Sequence, residues 1–123
     1  MAATWRPGVS LFRFADDFET FSAGQHIFTV GQPGEVMYVV KHGEVDVVIN
    51  DKVVETVGPG GLIGEMALID KESRSATAIA RTDCQLVSVN EQRFQRLVQQ
   101  TPNFAIQVMK VMAQRLRKMD AQT

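Results

Sequence analysis

From Phe18 to Val89 the chain is divided into short runs of period two separated by turn residues, and at Asn90 the period becomes helical. That change constrains the fold more than any other feature, because a chain that reverses after every few apolar alternations builds antiparallel sheet. The predicted strands are Phe18–Ser22, Gln25–Val30, Val36–Lys41, Glu44–Ile49, Val53–Val57, Ala76–Ala80 and Gln85–Val89. Ala23-Gly24, His42-Gly43 and Asn50-Asp51-Lys52 supply turns, and Gly31-Gln32-Pro33-Gly34 carries Pro and Gly where a type II turn takes them. In Glu44–Ile49 the alternation sets Val45, Val47 and Ile49 on one face and Glu44 and Asp46 on the other. The expected class is mainly β with C-terminal helices: an antiparallel, jelly-roll-like β-roll over about 18–89, then two helices over about 90–120.

The helical part has clear start signals. Asn90 suits an N-cap, and Phe94, Leu97 and Val98 give the following helix one apolar face. Thr101-Pro102 is a second start, with proline at the first helical position. In that last helix Phe104, Val108, Val111 and Met119 form one apolar stripe, with Ala105, Met109, Met112 and Leu116 beside it. A sector this wide exceeds what one packed surface needs, and fits a helix that covers the roll and also meets a partner helix. At 123 residues the whole chain, 1–123, is read as one domain large enough to bury a core. Residues 1–16 give no clear period.

Between the fifth strand and Ala76 the glycines become dense: Gly58, Gly60, Gly61 and Gly64. Glycine permits sharp reversals and close approach of backbone to a neighbour. A short helix is expected from about Glu65, its free N–H groups directed back at the turn, where they favour an anion. Glu65 stands at the start of this helix and Arg74 beyond its polar tip, Ile69-Asp70-Lys71-Glu72-Ser73. A carboxylate and a guanidinium facing each other across one loop suit a ligand with both hydroxyls and a phosphate.

Gly64-Glu65-Met66-Ala67-Leu68, a variable tip, then Arg74-Ser75-Ala76-Thr77 resembles the phosphate-binding cassette of cyclic-nucleotide-binding domains. The stretch from Gly31 to Val45 is similar to that family's early barrel strands, and the likeness runs from about Phe18 to Met119. The resemblance implies a ligand, cAMP or cGMP, held by Gly64, Glu65, Met66, Ala67, Arg74, Ser75 and Ala76, with Glu65 on the ribose 2′-hydroxyl and Arg74 on the cyclic phosphate. It also implies a lid in the final helix, for which Arg117, Lys118 and Met119 are candidates; a solvated basic face is the plainer reading of Lys110, Arg115, Arg117 and Lys118. Three positions depart from the family pattern: Ser73 for a proline, Gly61 for an aspartate, Ile63 for a phenylalanine. Base preference stays open, since a hydroxyl such as that of Ser75 accompanies either nucleotide.

Other chemistry is poorly supplied. His26 and His42 occupy separate turns, too few for the ligand set of a β-barrel metalloenzyme, so neither a metal nor a cofactor is expected. Cys84 stands alone, without the neighbours of a nucleophile. A net charge of −1 argues against a nucleic-acid surface, and no apolar run reaches membrane-spanning length. The expectation is a cytoplasmic, stand-alone sensor without catalytic activity, signalling through an effector protein or a homodimer built on the last helix. The alternative is a dimerisation module that keeps the fold and binds no nucleotide.

Overall fold

The computed structural model describes residue 12 and residues 15–121, with side chains to residue 118. The stretch before Phe12 and the side chain of Met119, a lid candidate, lie outside the described residues. Among the described residues there are eight strands: β1 (Glu19–Phe21), β2 (His26–Phe28), β3 (Val36–His42), β4 (Val45–Ile49), β5 (Lys52–Val57), β6 (Leu62–Ile63), β7 (Thr77–Ala80) and β8 (Cys84–Asn90). The helices are α1 (Glu65–Asp70), α2 (Glu91–Gln100) and α3 (Pro102–Ala121). All pairings are antiparallel, in two four-stranded sheets ordered β1-β8-β3-β6 and β2-β7-β4-β5. The mainly β fold with C-terminal helices expected from the period change is present.

Alternation in β3 and β8 builds two cores at once. Val40 and Leu86 face inward between the sheets with Val45, Val57, Ile63, Ala78 and Ala80. Met37, Val39, Val87 and Val89 face the other way, against Phe104, Val108 and Val111 of α3. Phe104, Val108 and Val111 of the first predicted stripe of α3 are therefore buried, while Met109 and Leu116 of the second are 58% and 53% exposed. Phe94, Leu97 and Val98 of α2 pack at the margin of the helix-side core, and the Asn90 side chain accepts a 2.8 Å bond from the Arg93 N–H as the expected N-cap.

Three local expectations change. The turn near residue 31 lies three residues earlier than its Pro-Gly pair suggests: the Gln32 N–H donates to Thr29 O, and it is Gly31 that has positive φ, at 88°. Gly34 is instead required by packing, since a Cβ there would stand 2.7 Å from both the Ala67 Cβ and the Arg74 Nε. In β4 the register shifts between Val47 and Val48, so Ile49 leaves the buried face and is exposed. The two-residue β6 was not anticipated, because Leu62-Ile63 is too short to show a period; its pairing with Tyr38 and Val39 of β3 defines it.

Candidate functional site

The site is built on the β6–α1–β7 segment. Gly58-Pro59-Gly60-Gly61 forms a turn closed by a 2.9 Å bond from the Gly61 N–H to Gly58 O, with Gly60 at φ 86°. After β6 the chain passes through Gly64 at φ 78° directly into α1, whose first turn has no side-chain cap. Lys71, at φ 60°, ends the helix, and the Glu72 N–H donates to the Asp70 side chain at 3.0 Å. The strand-side loop then clamps the return: the Arg74 N–H donates to Gln32 O and the Gly31 N–H to Arg74 O, both at 2.8 Å. Thr77 adds a hydroxyl that accepts from the Val30 N–H at 3.0 Å.

These contacts carry Arg74 into the protein, where it is only 6% exposed. Its guanidinium carbon lies 4.2 Å from the Phe28 ring centre, and one terminal nitrogen donates to Gly64 O at 3.2 Å. Among the described residues no carboxylate pairs with it, and its buried Nε has no acceptor. Burial pulls its pKa below the usual arginine value, with Tyr38 and the charge of Glu65 opposing the shift. Gly34 and Gly64 form the walls against which this side chain lies, since a Cβ at either would collide with the guanidinium. A cation buried without a counter-charge is costly, so the pocket around Arg74 favours an anion.

Glu65 is also buried, at 3% exposure, but it has a partner. Arg115 of α3 reaches it with a terminal nitrogen 2.5 Å from Oε1. The same guanidinium donates to both oxygens of Glu55 on β5, at 3.0 and 3.3 Å, and to the backbone carbonyl of Leu62. Burial works against the Arg115 charge, yet Glu65 and Glu55 outweigh it and raise its pKa. The last helix is thus fastened to the roll at the first residue of the cassette helix.

The expected site residues divide as follows. Glu65, Ala67, Arg74 and Ala76 are buried and Gly64 is half-buried, whereas Met66 and Ser75 are exposed. Lys118 is exposed beside a cavity formed by β5 and α3, and Arg117 is exposed as well. Phe28, Tyr38, Glu55 and Arg115 were not singled out as site residues. Tyr38 stacks on Phe28 with centroids 6.4 Å apart, and burial raises its phenol pKa. A signal for Arg115 does exist: it continues the buried stripe Phe104, Val108, Val111 at helical spacing, where a charge requires a partner. Among the described residues no three of His, Cys, Asp or Glu are grouped to hold a metal, and no helix is long and apolar enough to cross a membrane.

An antiparallel roll carrying a glycine-flanked carboxylate and a buried, unpaired arginine on one short cassette defines a class of small-ligand-binding domain. Residues 18–101 match the family profile described as cyclic nucleotide-binding domain, and the chain belongs to that family. It is 40% identical over 77 residues to a cAMP-dependent protein kinase regulatory subunit of Eremothecium gossypii, a match spanning 63% of this chain and 17% of the relative. It is 42% identical over 86 residues to a cyclic nucleotide-gated potassium channel of Mesorhizobium japonicum, covering 70% of this chain and 24% of the channel. The matched region is thus less than a quarter of either relative. Among solved structures, the catabolite activator protein of Thermus thermophilus aligns with a TM-score of 0.74 at 30% identity, over 85% of this chain and 53% of that one. A structure described under a cyclic-GMP-dependent signalling pathway in bacterial phytopathogenesis gives 0.74 at 31% identity, over 88% and 92%. The chain is thus a cyclic-nucleotide-binding domain.

Proposed function

We propose that the domain binds one cyclic nucleotide, cAMP or cGMP, at residues 64–76 and reports it through α3. The observation that carries this reading is the buried Arg74, whose Nε lacks an acceptor and whose pKa is lowered by burial. A cyclic phosphodiester brings a single negative charge and supplies that acceptor, while Glu65 accepts from the ribose 2′-hydroxyl. Gly64, Ala67 and Ala76 are the small residues of this segment, and Met66 and Ser75 are its exposed ones. Binding is the whole of the chemistry, with no catalysis and no cofactor. The nucleotide's hydroxyl must share Glu65 with Arg115, so occupancy of the cassette and docking of α3 are linked, and the response is a population shift in that helix. Arg117, Lys118 and Met119 then follow Arg115 toward the base as the lid.

Calorimetry with cAMP and cGMP tests binding directly. Hydrogen exchange across residues 104–118 tests the lid: protection in α3 should change on binding together with that of the cassette. A response confined to the cassette would leave a domain that binds without signalling through this helix.

A second reading concerns assembly and is favoured by the exposed stripe of α3. Met109 and Leu116 are spaced as one seam with the half-buried Met112 and Ala105 between and before them, and two copies of this seam could close as a helix pair. Sedimentation of the protein and of Leu116→Lys distinguishes a homodimer on this face from signalling through a different protein.

A further inference from the structure

We infer that Phe28 is the positioning residue of the anion site: its ring holds the Arg74 guanidinium in place without neutralising it. The inference rests on the cyclic-nucleotide reading of the cassette and adds what keeps its arginine aligned. A buried guanidinium with no carboxylate beside it gains by swinging its long, flexible chain out to water. A carboxylate would hold it, but would also cancel the charge that an incoming phosphate needs. An aromatic face attracts a cation through its quadrupole and leaves the net charge as it was.

The geometry supplies that face. Phe28 ends β2, where it stands opposite Ala78 of β7, and the guanidinium carbon of Arg74 lies 4.2 Å from its ring centre. Gly64 closes the group, its carbonyl accepting from one terminal nitrogen at 3.2 Å. A Cβ on Gly64 would collide with that nitrogen and stand 3.2 Å from Phe28 Cε2, so glycine, ring and guanidinium pack as one unit. Glu65 attracts Arg74 through space but is itself bonded to Arg115.

The ring is held in turn. Tyr38 of β3 stacks with Phe28, centroids 6.4 Å apart and planes 20° apart, and Phe21 of β1 meets Tyr38 edge-on at 6.3 Å. Phe21, Tyr38 and Phe28 all pack against the core between the sheets. The row Phe21–Tyr38–Phe28–Arg74 thus passes from the β1-β8-β3-β6 sheet to the β2-β7-β4-β5 sheet and ends on the cassette. Phe28 is a fixed surface, and Arg74 is the flexible chain laid on it. If only a fraction of molecules keeps Arg74 inward, the apparent affinity falls by that fraction. A desolvated cation–π contact shifts such an equilibrium by roughly ten- to thirtyfold.

The test replaces Phe28 with fluorinated phenylalanines, which keep nearly the same shape while the fluorines drain the negative face of the ring. Calorimetry of the full chain with cAMP and cGMP should show affinity falling stepwise from phenylalanine through trifluoro- to pentafluorophenylalanine, by about tenfold in all for both nucleotides. A ring that only fills space would give one affinity across the series. That result, or tighter binding as the face weakens, would overturn the inference. Should the substituted proteins fail to fold, the unaltered one decides. Ring current should move the Arg74 Nε–H proton upfield of the other arginine signals, and its signal is the one missing from the proton–nitrogen spectrum of Arg74→Met. A resonance among the others would mean that the guanidinium is not held on the ring. Absence of binding by the unaltered protein would overturn the cassette reading itself, and this inference with it.

Discussion

Two arginines bound the candidate site and are buried in opposite ways. Arg74, on the cassette, has an aromatic ring and a carbonyl for company, no carboxylate among the described residues, and a lowered pKa. Arg115, on α3, has two carboxylates and a raised pKa. Burial opposes both charges, so the difference lies in the partners. In the free protein Arg115 is a structural contact that fastens the last helix to the roll. Arg74 is a buried charge whose compensation must come from outside, the condition expected of a binding group at some cost to stability.

The largest effects should come from removing each arginine, and they should fall on different measurements. Arg74→Met should cost roughly 2–5 kcal/mol of cyclic-nucleotide affinity, since the phosphate loses its buried partner. The same substitution should raise the stability of the ligand-free protein by about 1 kcal/mol, because an uncompensated charge is replaced by an apolar chain. Unchanged affinity in calorimetry, with the fold intact by circular dichroism, would remove Arg74 from the site.

Arg115→Ala should do the reverse in the free protein. It leaves Glu65 buried and unpaired, which costs about 3–5 kcal/mol in a fully buried pair; partial exposure of Arg115 reduces the expectation to about 2–3 kcal/mol. Urea unfolding measures this loss, and a value near zero would mean that the contact does not fasten α3.

A smaller perturbation sharpens the contrast without deleting a charge. Gly34→Ala places a methyl group against Ala67 and the Arg74 guanidinium, and overpacking of this kind costs about 1–3 kcal/mol. Nucleotide affinity should fall while hydrogen exchange in α3 stays as it was, since Arg115 does not touch Gly34. Equal responses in both regions would show that the two arginines form one unit.

The smallest expected effect is a pH response that involves neither arginine, as both remain charged across the ordinary range. Cys84 is buried, its sulfur 3.1 Å from the carbonyl oxygens of Glu44 and Thr82, and burial raises its pKa above the ordinary value of 9.0. A raised acid pKa stabilises the fold fully below the unfolded-state value, and that contribution is lost as pH rises through the folded-state value. Thermal unfolding should therefore show a declining alkaline limb above the ordinary thiol range, and Cys84→Ala should flatten it. An identical decline in the variant would assign it to other groups.

Much of the molecule was determined by the sequence alone because the relevant signals are local. Period-two runs placed most of the strands, Asn90 and Pro102 marked the helix starts, and the dense glycines preceded the short helix α1 that begins at Glu65. Each of these depends on residues within a few positions of one another, where backbone sterics and capping act. What only the tertiary structure decided involves residues far apart in the chain. Arg115 meets Glu65 across 50 positions and Glu55 across 60, and Gly34 is needed because Arg74 packs on it. Helical spacing sets Arg115 in line with Phe104, Val108 and Val111, yet nothing local names Glu65 and Glu55 as its partners. The pairing appears only when the helix docks, because the desolvation of a buried charge depends on the surfaces brought around it and on whether they carry an opposite charge.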